Sequence, residues 1–210
     1  FLIGHWIILA LILCWFIYMG GYIHNLQNRV RDQRENLRDA HSRLEAIAVR
    51  DDLTGLYNRR HFLERLEEEL SLANRNHTPL YLAIIDLDHF KRVNDNYGHH
   101  SGDEVLSRFA RIASQGLRKS DLLARYGGEE FVVLFPHATQ AASEAALERL
   151  RSRFAEQDYP FADDVITTFS AGLTAFQPGE TADQLIKRAD SALYEAKSRG
   201  RNQVVQLPLS

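Results

Sequence analysis

Leu122-Leu123-Ala124-Arg125-Tyr126-Gly127-Gly128-Glu129-Glu130-Phe131-Val132-Val133-Leu134-Phe135 sets a Gly-Gly pair and two adjacent acids between apolar stretches. Glycine reaches positive φ without steric cost, so the spacing predicts a hairpin that turns at the two glycines. Acid at the tip of such a hairpin needs a counter-charge or solvent, because an unpaired carboxylate is costly to desolvate.

Upstream, Leu80-Tyr81-Leu82-Ala83-Ile84-Ile85-Asp86-Leu87-Asp88 is a continuous apolar run that ends in acid. A run of this kind is expected of a strand covered on both faces. Side chains alternate along a strand, which puts Asp86 and Asp88 on one face and Leu87 on the other. If this strand end lies beside the hairpin, Asp86, the Leu87 carbonyl and Glu129 make the all-oxygen shell that Mg²⁺ prefers, with waters and phosphate oxygens completing it. The combination suits a metal-bound nucleoside triphosphate.

Outward from these two stretches, the pattern predicts an amphipathic helix over 60–76, the Leu80 strand, a helix broken near Gly98 to Gly102, and the hairpin. A helix over 139–157, a strand over 165–176, a helix over 182–199 stopped by Gly200, and a closing strand over 203–207 follow. An α+β domain with helices packed on a mixed, largely antiparallel sheet is the expected architecture.

Five separated blocks then carry a resemblance. They are Asp51-Asp52-Leu53-Thr54-Gly55-Leu56-Tyr57-Asn58-Arg59-Arg60; Asp86-Leu87-Asp88-His89-Phe90-Lys91-Arg92-Val93-Asn94-Asp95; Gly98-His99 with Gly102-Asp103; Arg125 to Phe131; and Ala189-Asp190, Ala192-Leu193-Tyr194-Glu195-Ala196-Lys197 with Gly200-Arg201-Asn202. In this order and spacing the chain resembles the bacterial GGDEF-domain diguanylate cyclases, with Gly-Gly-Glu-Glu-Phe as the common active variant of the signature. The resemblance implies a fold similar to the palm of nucleotide polymerases and class III nucleotidyl cyclases.

It also implies roles. Asp86, Glu129 and Glu130 would be the catalytic set, holding Mg²⁺, or Mn²⁺ in its place, together with the Leu87 carbonyl. Glu130 would be a second metal neighbour or a helper in deprotonating the attacking hydroxyl. Lys197 and Arg201, which by position would ordinarily just complement a helix dipole, fall where the family holds the β- and γ-phosphates. His89, Phe90 and Lys91 begin a helix directly after the acidic strand end, so their N–H groups and the Lys91 ammonium are suited to phosphate. Asn94 and Asp103 offer donors and acceptors matched to guanine, and equally make good helix or turn caps. Relatives that accept adenine nucleotides tend to lack Asp at this place, so Asp103 favours GTP over ATP. Asp88 reads as an orienting group, and Arg125 as a phosphate contact or a brace for the hairpin. Arg118-Lys119-Ser120-Asp121 is weak alone but matches the family's inhibitory product site, with Arg149 contributing from the next helix.

Composition bounds the alternatives. A chain of 210 residues, 45% apolar, holds one ordinary globular domain and an appendage. The formal charge of −3 argues against a nucleic-acid partner, which would want a basic face. The single Cys14 offers neither an intrachain disulfide nor a cysteine zinc site, and the nine histidines show no zinc-like spacing. No Gly-x-Ser-x-Gly elbow or Cys-His pair supports hydrolase chemistry.

Phe1 to Tyr22 contains no Lys, Arg, Asp or Glu. About 22 helical residues span roughly 33 Å, enough for a bilayer core of about 30 Å. We read 1–23 as a transmembrane helix, with Arg29, Arg31, Arg34 and Arg38 placing the following chain in the cytoplasm, at the inner membrane. A signal peptide lacks support, since there is no basic leader or small-residue cleavage site. Because the chain opens on Phe rather than Met, further residues are expected upstream, a sensor among the candidates. Over 24–50, Leu26, Val30, Gln33, Leu37, Ala40, Leu44 and Ile47 alternate four and three apart, a heptad seam. A parallel dimeric stalk is favoured over a lone solvated helix. The remaining stretch, 51–210, is the catalytic domain.

The reaction implied joins two GTP into cyclic di-GMP and two pyrophosphates across a homodimer, with product feedback at Arg118 and Asp121. Two rivals stand beside it: a catalytically silent nucleotide-binding GGDEF receptor, and a membrane-tethered dimerisation module.

Overall fold

The computed structural model describes residues 49–161 and 167–207, with isolated helical positions between 15 and 31. Phe1–Ala48 and Val49–Ser210 form two compact units. The transmembrane reading of 1–23 and the heptad seam fall almost wholly outside the described residues. Among the described residues no helix is long and apolar enough to cross a membrane.

The second unit runs β1 (Tyr57–Asn58), α1 (Arg59–Asn76), β2 (Leu80–Leu87), α2 (Phe90–Tyr97), α3 (His99–Gly116), β3 (Leu122–Gly127), β4 (Glu130–Pro136), α4 (Gln140–Ala155), β5 (Phe169–Ala175), α5 (Ala182–Ser198) and β6 (Val204–Gln206). Its sheet has the order β1-β3-β4-β2-β5-β6. The β2–β4, β2–β5 and β3–β4 pairs are antiparallel, and the edge pairs β1–β3 and β5–β6 are parallel. This is the mixed, largely antiparallel α+β sheet expected, flanked by helices.

Strand β2 is central, which explains its unbroken apolar run: each face has its own core. Ala83, Ile85 and Leu87 pack with Phe131, Val133, Phe169, and with Phe109 and Phe154 of α3 and α4. On the other face Leu82, Ile84, Val132 and Leu134 meet Phe62 and Leu66 of α1 and Leu185, Ala189 and Leu193 of α5. Each such Leu or Phe contributes about 2 kcal/mol by leaving water. Helix starts follow their caps: Asn58, Thr139 and Thr181 each accept a backbone N–H of the first turn.

Two close approaches place the helices that carry the candidate site. A Cβ on Gly172 of β5 would meet the Ala189 carbonyl at 2.1 Å and the Leu193 nitrogen at 2.2 Å, so α5 lies directly on the sheet. A Cβ on Gly102 of α3 would meet the Asn94 Oδ1 at 2.0 Å and Phe90 Cζ at 3.1 Å, so α2 folds tightly back on α3.

Several expectations shift. The helix break is the single residue Gly98, and Gly102 and the paired His99-His100 lie within α3. The hairpin turns at Gly128 and Glu129, because Gly127 still pairs with Glu130 at the end of β3. The strand predicted from 165 begins at Phe169. Strand β1 was not predicted: two residues beside an Asx-type turn carry no periodic signal, and only pairing with Ala124 and Arg125 makes them a strand.

Candidate active site

Asp86 ends β2 and Glu130 begins β4, and the two are directly opposed in the antiparallel register. Directly opposed residues face the same side of a sheet. Their shared face is the one covered by α1 and α5, where Lys197 at the end of α5 reaches Asp86 Oδ2 at 2.8 Å. Glu129 sits in the turn, with Gly128 at φ +48°, and its carbonyl accepts the Leu87 N–H at 3.3 Å. A register shift between Arg125 and Gly127 bulges β3 just ahead of the turn. Such a bulge re-aims the following residues, and the charges of Asp86 and Glu130 both act on Glu129. The Leu87 side chain is buried in the opposite core.

Charge is crowded at this corner. Burial pushes the Asp86 carboxyl above its ordinary range, with the like charge of Asp88 adding and Lys197 opposing. Glu129 is raised by burial, then by Asp86 and Glu130. Glu130 is raised by burial, then by Asp86 and Asp190, against the pull of Lys197 and Arg59. Three acids whose ionised forms are disfavoured by one another match a divalent cation in both donor chemistry and charge. As they stand, no three Asp, Glu, His or Cys groups among the described residues are gathered closely enough to enclose a metal. Lys197 instead holds Asp86. The residues thus fit a cation in kind.

Asp88 is different. Its Oδ1 accepts from the Ser170 hydroxyl at 2.7 Å, and its Oδ2 from the Thr168 hydroxyl at 2.7 Å and the Asn202 N–H at 3.0 Å. It is therefore an anchor, which agrees with an orienting role. What it anchors is the turn after α5, where Arg201 and Asn202 take φ of 66° and 47°. Left-handed backbone at a non-glycine residue costs of order 1 kcal/mol and needs such a hold. Arg151 also clamps the Asn202 side chain at 2.9 Å. Arg201 is thereby kept near enough to Asp86 to oppose its raised proton affinity.

The phosphate and base candidates lie around the same strand end. His89 starts α2 at φ 57° and provides no side-chain cap, so no capping side chain claims the N–H groups of Phe90 and Lys91. Phe90 is buried while Lys91 is exposed. Asn94 and Asp103 stand on different helices, and the Asn94 amide is seated over Gly102, the residue before Asp103.

Arg125 braces the hairpin. Its guanidinium donates to the Gly128 carbonyl at 2.8 and 3.1 Å and to both Asp51 oxygens at 3.1 Å. Burial raises the Asp51 carboxyl, but the Thr54 hydroxyl and N–H and the Arg125 charge outweigh it and hold the group below its usual range. This role of Asp51 was not legible from its place in the first motif block. That of Arg59 was not either: its guanidinium lies 4.8 Å over the Tyr126 ring and acts on Glu130.

Arg118 and Asp121 close a turn, with the Arg118 N–H donating to Asp121 Oδ2 at 2.9 Å and the Asp121 N–H to the Arg118 carbonyl at 3.0 Å. Arg118, Asp121 and Arg149 line one small cavity of about 80 Å³ with Gly116 and Phe135. This cavity and the acidic hairpin lie at opposite ends of β3, roughly 20 Å apart at about 3.3 Å per residue.

Residues 48–203 match the family described as "Diguanylate cyclase, GGDEF domain". The chain is 42% identical over 190 residues to the diguanylate cyclase DgcP of Pseudomonas aeruginosa, covering 89% of this chain and 28% of that protein. It is 40% identical over 163 residues to the response regulator PleD of Caulobacter vibrioides, covering 76% of this chain and 36% of that protein. It thus spans about a third of the curated relatives it matches. The crystal structure of the coiled coil and GGDEF domain of DgcB from Caulobacter crescentus, in complex with c-di-GMP, superposes with a TM-score of 0.74 at 32% identity, covering 87% of this chain and 99% of that one. With Asp86 and Glu130 opposed at one end of the sheet and the family's model matched across residues 48–203, the chain belongs to the GGDEF diguanylate cyclase family.

Proposed function

We propose that this chain is a diguanylate cyclase that condenses two GTP into cyclic di-GMP and two pyrophosphates, with two subunits each presenting one nucleotide to the other. The observation that carries this reading is the opposition of Asp86 and Glu130 across β2 and β4, next to Glu129 and under Lys197. Each ribose 3′-oxygen forms a bond to the α-phosphorus of the facing GTP while the bond to the β-phosphate oxygen breaks and pyrophosphate leaves. Glu130, with proton affinity raised by its surroundings, is suited to take the hydroxyl proton. Lys197, Arg201, Lys91 and the first N–H groups of α2 hold the triphosphate in place. Asn94 and Asp103 read the guanine edge. A divalent cation, Mg²⁺ in this reading, would be held by Asp86, the Leu87 carbonyl and Glu129 and would stabilise charge at the transferring phosphate.

Three further features complete the reading. The apolar stretch 1–23 anchors the chain in the inner membrane, and 24–50 forms a dimeric stalk that brings two catalytic domains together; the heptad spacing and the Arg cluster after the apolar run support these. Cyclic di-GMP acts back at Arg118, Asp121 and Arg149, supported by their shared cavity.

The test is incubation of the full chain in membrane mimetic with GTP and Mg²⁺, followed by chromatography of the products. Cyclic di-GMP and pyrophosphate in a 1:2 ratio are expected. Nucleotide binding without any product, at subunit concentrations that sustain dimers, would mark the chain as a silent receptor. A turnover rate per subunit that does not change with protein concentration in 49–210 alone would remove the two-subunit requirement.

A further inference from the structure

The two residues read as guanine contacts stand on separate helices, Asn94 on α2 and Asp103 on α3, joined through Gly98 at φ +83° and packed where Asn94 and Phe90 approach Gly102. Their separation therefore depends on the angle at one permissive residue and on what holds the two helices at that angle. Helix α2 is short and buries only Phe90 and Val93, so its own core contact is small.

The segment leaving α4 lies across both helices. Phe161 packs on Tyr97, the last residue of α2, with ring centroids 5.3 Å apart, and on Tyr159 at 5.2 Å. The Arg108 guanidinium of α3 covers the Tyr159 ring at 4.7 Å, bonds Glu104 at 3.0 Å, and donates to the Asp158 carbonyl. Tyr159 is 3% exposed, and its hydroxyl shares a 2.8 Å hydrogen bond with Thr167 just ahead of β5, which ties this strap to the sheet. Tyr97 lies one turn beyond Asn94, and Glu104 follows Asp103 directly. The strap thus meets α2 one turn beyond Asn94 and meets α3 at Arg108, whose guanidinium also holds Glu104, the neighbour of Asp103.

We propose that Tyr97, Tyr159 and Phe161 are positioning residues that fix the angle between α2 and α3 and so set the selectivity for guanine over other purines. The inference rests on the reading of Asn94 and Asp103 as base contacts. None of the three aromatic residues needs to touch nucleotide. Removing one ring from the strap lets the helix pair open about Gly98, and the amide and carboxylate no longer meet one purine edge together. A nucleotide that uses both contacts then suffers more than one that uses fewer.

The experiment measures steady-state kinetics and calorimetric binding of the full chain with GTP and with inosine triphosphate, which lacks the 2-amino group. In Phe161→Ala the KM for GTP should rise about fivefold, the GTP-to-inosine preference should fall by a similar factor, and kcat should stay within about twofold. Phe161→Tyr should restore the preference. Tyr97→Ala should repeat the shift, and because Tyr97 is 40% exposed its removal does not hollow the core. An unchanged preference in both alanine variants, or equal losses for the two nucleotides, would overturn the proposal and leave the strap a purely structural element. A wild-type chain that binds both nucleotides without turnover would remove the cyclase reading while the ratio of affinities still decides the strap. A wild type that binds neither would overturn both.

Discussion

Two groups of acids meet at one end of the sheet, and they are built differently. Asp88 accepts three hydrogen bonds from Ser170, Thr168 and Asn202, and Asp51 is held by Thr54 and Arg125. Asp86, Glu129 and Glu130 share one ion pair to Lys197 and disfavour each other's ionisation. The saturated acids hold loops in place. The crowded ones cost stability in the unliganded fold, which is the condition of a site that takes its balancing positive charge from a ligand.

The largest effect that tests this contrast is on turnover. Asp86→Asn and Glu129→Gln should each lower cyclic di-GMP formation by about a hundredfold or more. In metal-free buffer their melting temperature should stay level or rise, since the fold disfavours the ionised form of each carboxyl. Melting more than about 3 °C lower, a loss of roughly 1 kcal/mol, would put these acids with the structural ones and break the comparison. Asp88→Ala should behave in the opposite way: three orphaned donors cost about 3 kcal/mol in urea unfolding, and activity falls because the Arg201-Asn202 turn loses its hold.

Next in size is Gly102→Ala. Its Cβ would displace the Asn94 amide, which lies 2.0 Å from that position, and raise the KM for GTP about tenfold with a smaller change in kcat. Unchanged KM would mean that the Asn94 seat has nothing to do with base recognition.

The smallest effect, and the sharpest in sign, is on pH. Asp51 is lowered in the fold, so its contribution is present above its unfolded value and is lost as pH falls through the lower folded value. Asp51→Asn should cost about 1 kcal/mol at neutral pH, a modest figure because the pair is partly solvated, and nothing in strong acid. Glu129 is raised, so the fold favours its protonated form and metal-free stability declines as pH rises through the folded value. Glu129→Gln should flatten that decline. Parallel pH profiles for the two variants, measured by chemical denaturation, would erase the distinction between the two kinds of acid.

Much of this was legible in the chain. The Leu80 run announced a strand buried on both faces, the two-glycine segment a hairpin, and the residue pattern the helices over 60–76, 139–157 and 182–199. Short-range signals failed where the structure depends on a neighbour far away in sequence. Tyr57 and Asn58 become a strand only beside Ala124 and Arg125, and Gly102 reads as a breaker although it sits inside α3 because Asn94 packs against it. The hairpin turned one residue late for a similar reason: the bulge in β3 lets Gly127 pair with Glu130, which no local propensity shows.

Periodicity, turn chemistry and the order of the motif blocks, all local properties, determined the fold class and the family from residue types alone. Only the tertiary structure decided which acids stand satisfied and which stand crowded, because that depends on whether Ser170, Thr168 and Asn202 or a second carboxylate arrives across the sheet. The same holds for the strap on α2 and α3, where Phe161 meets Tyr97 from the far end of α4. Electrostatic and packing energies are set by distance in space, and the linear chain carries no measure of that distance until the sheet register is fixed.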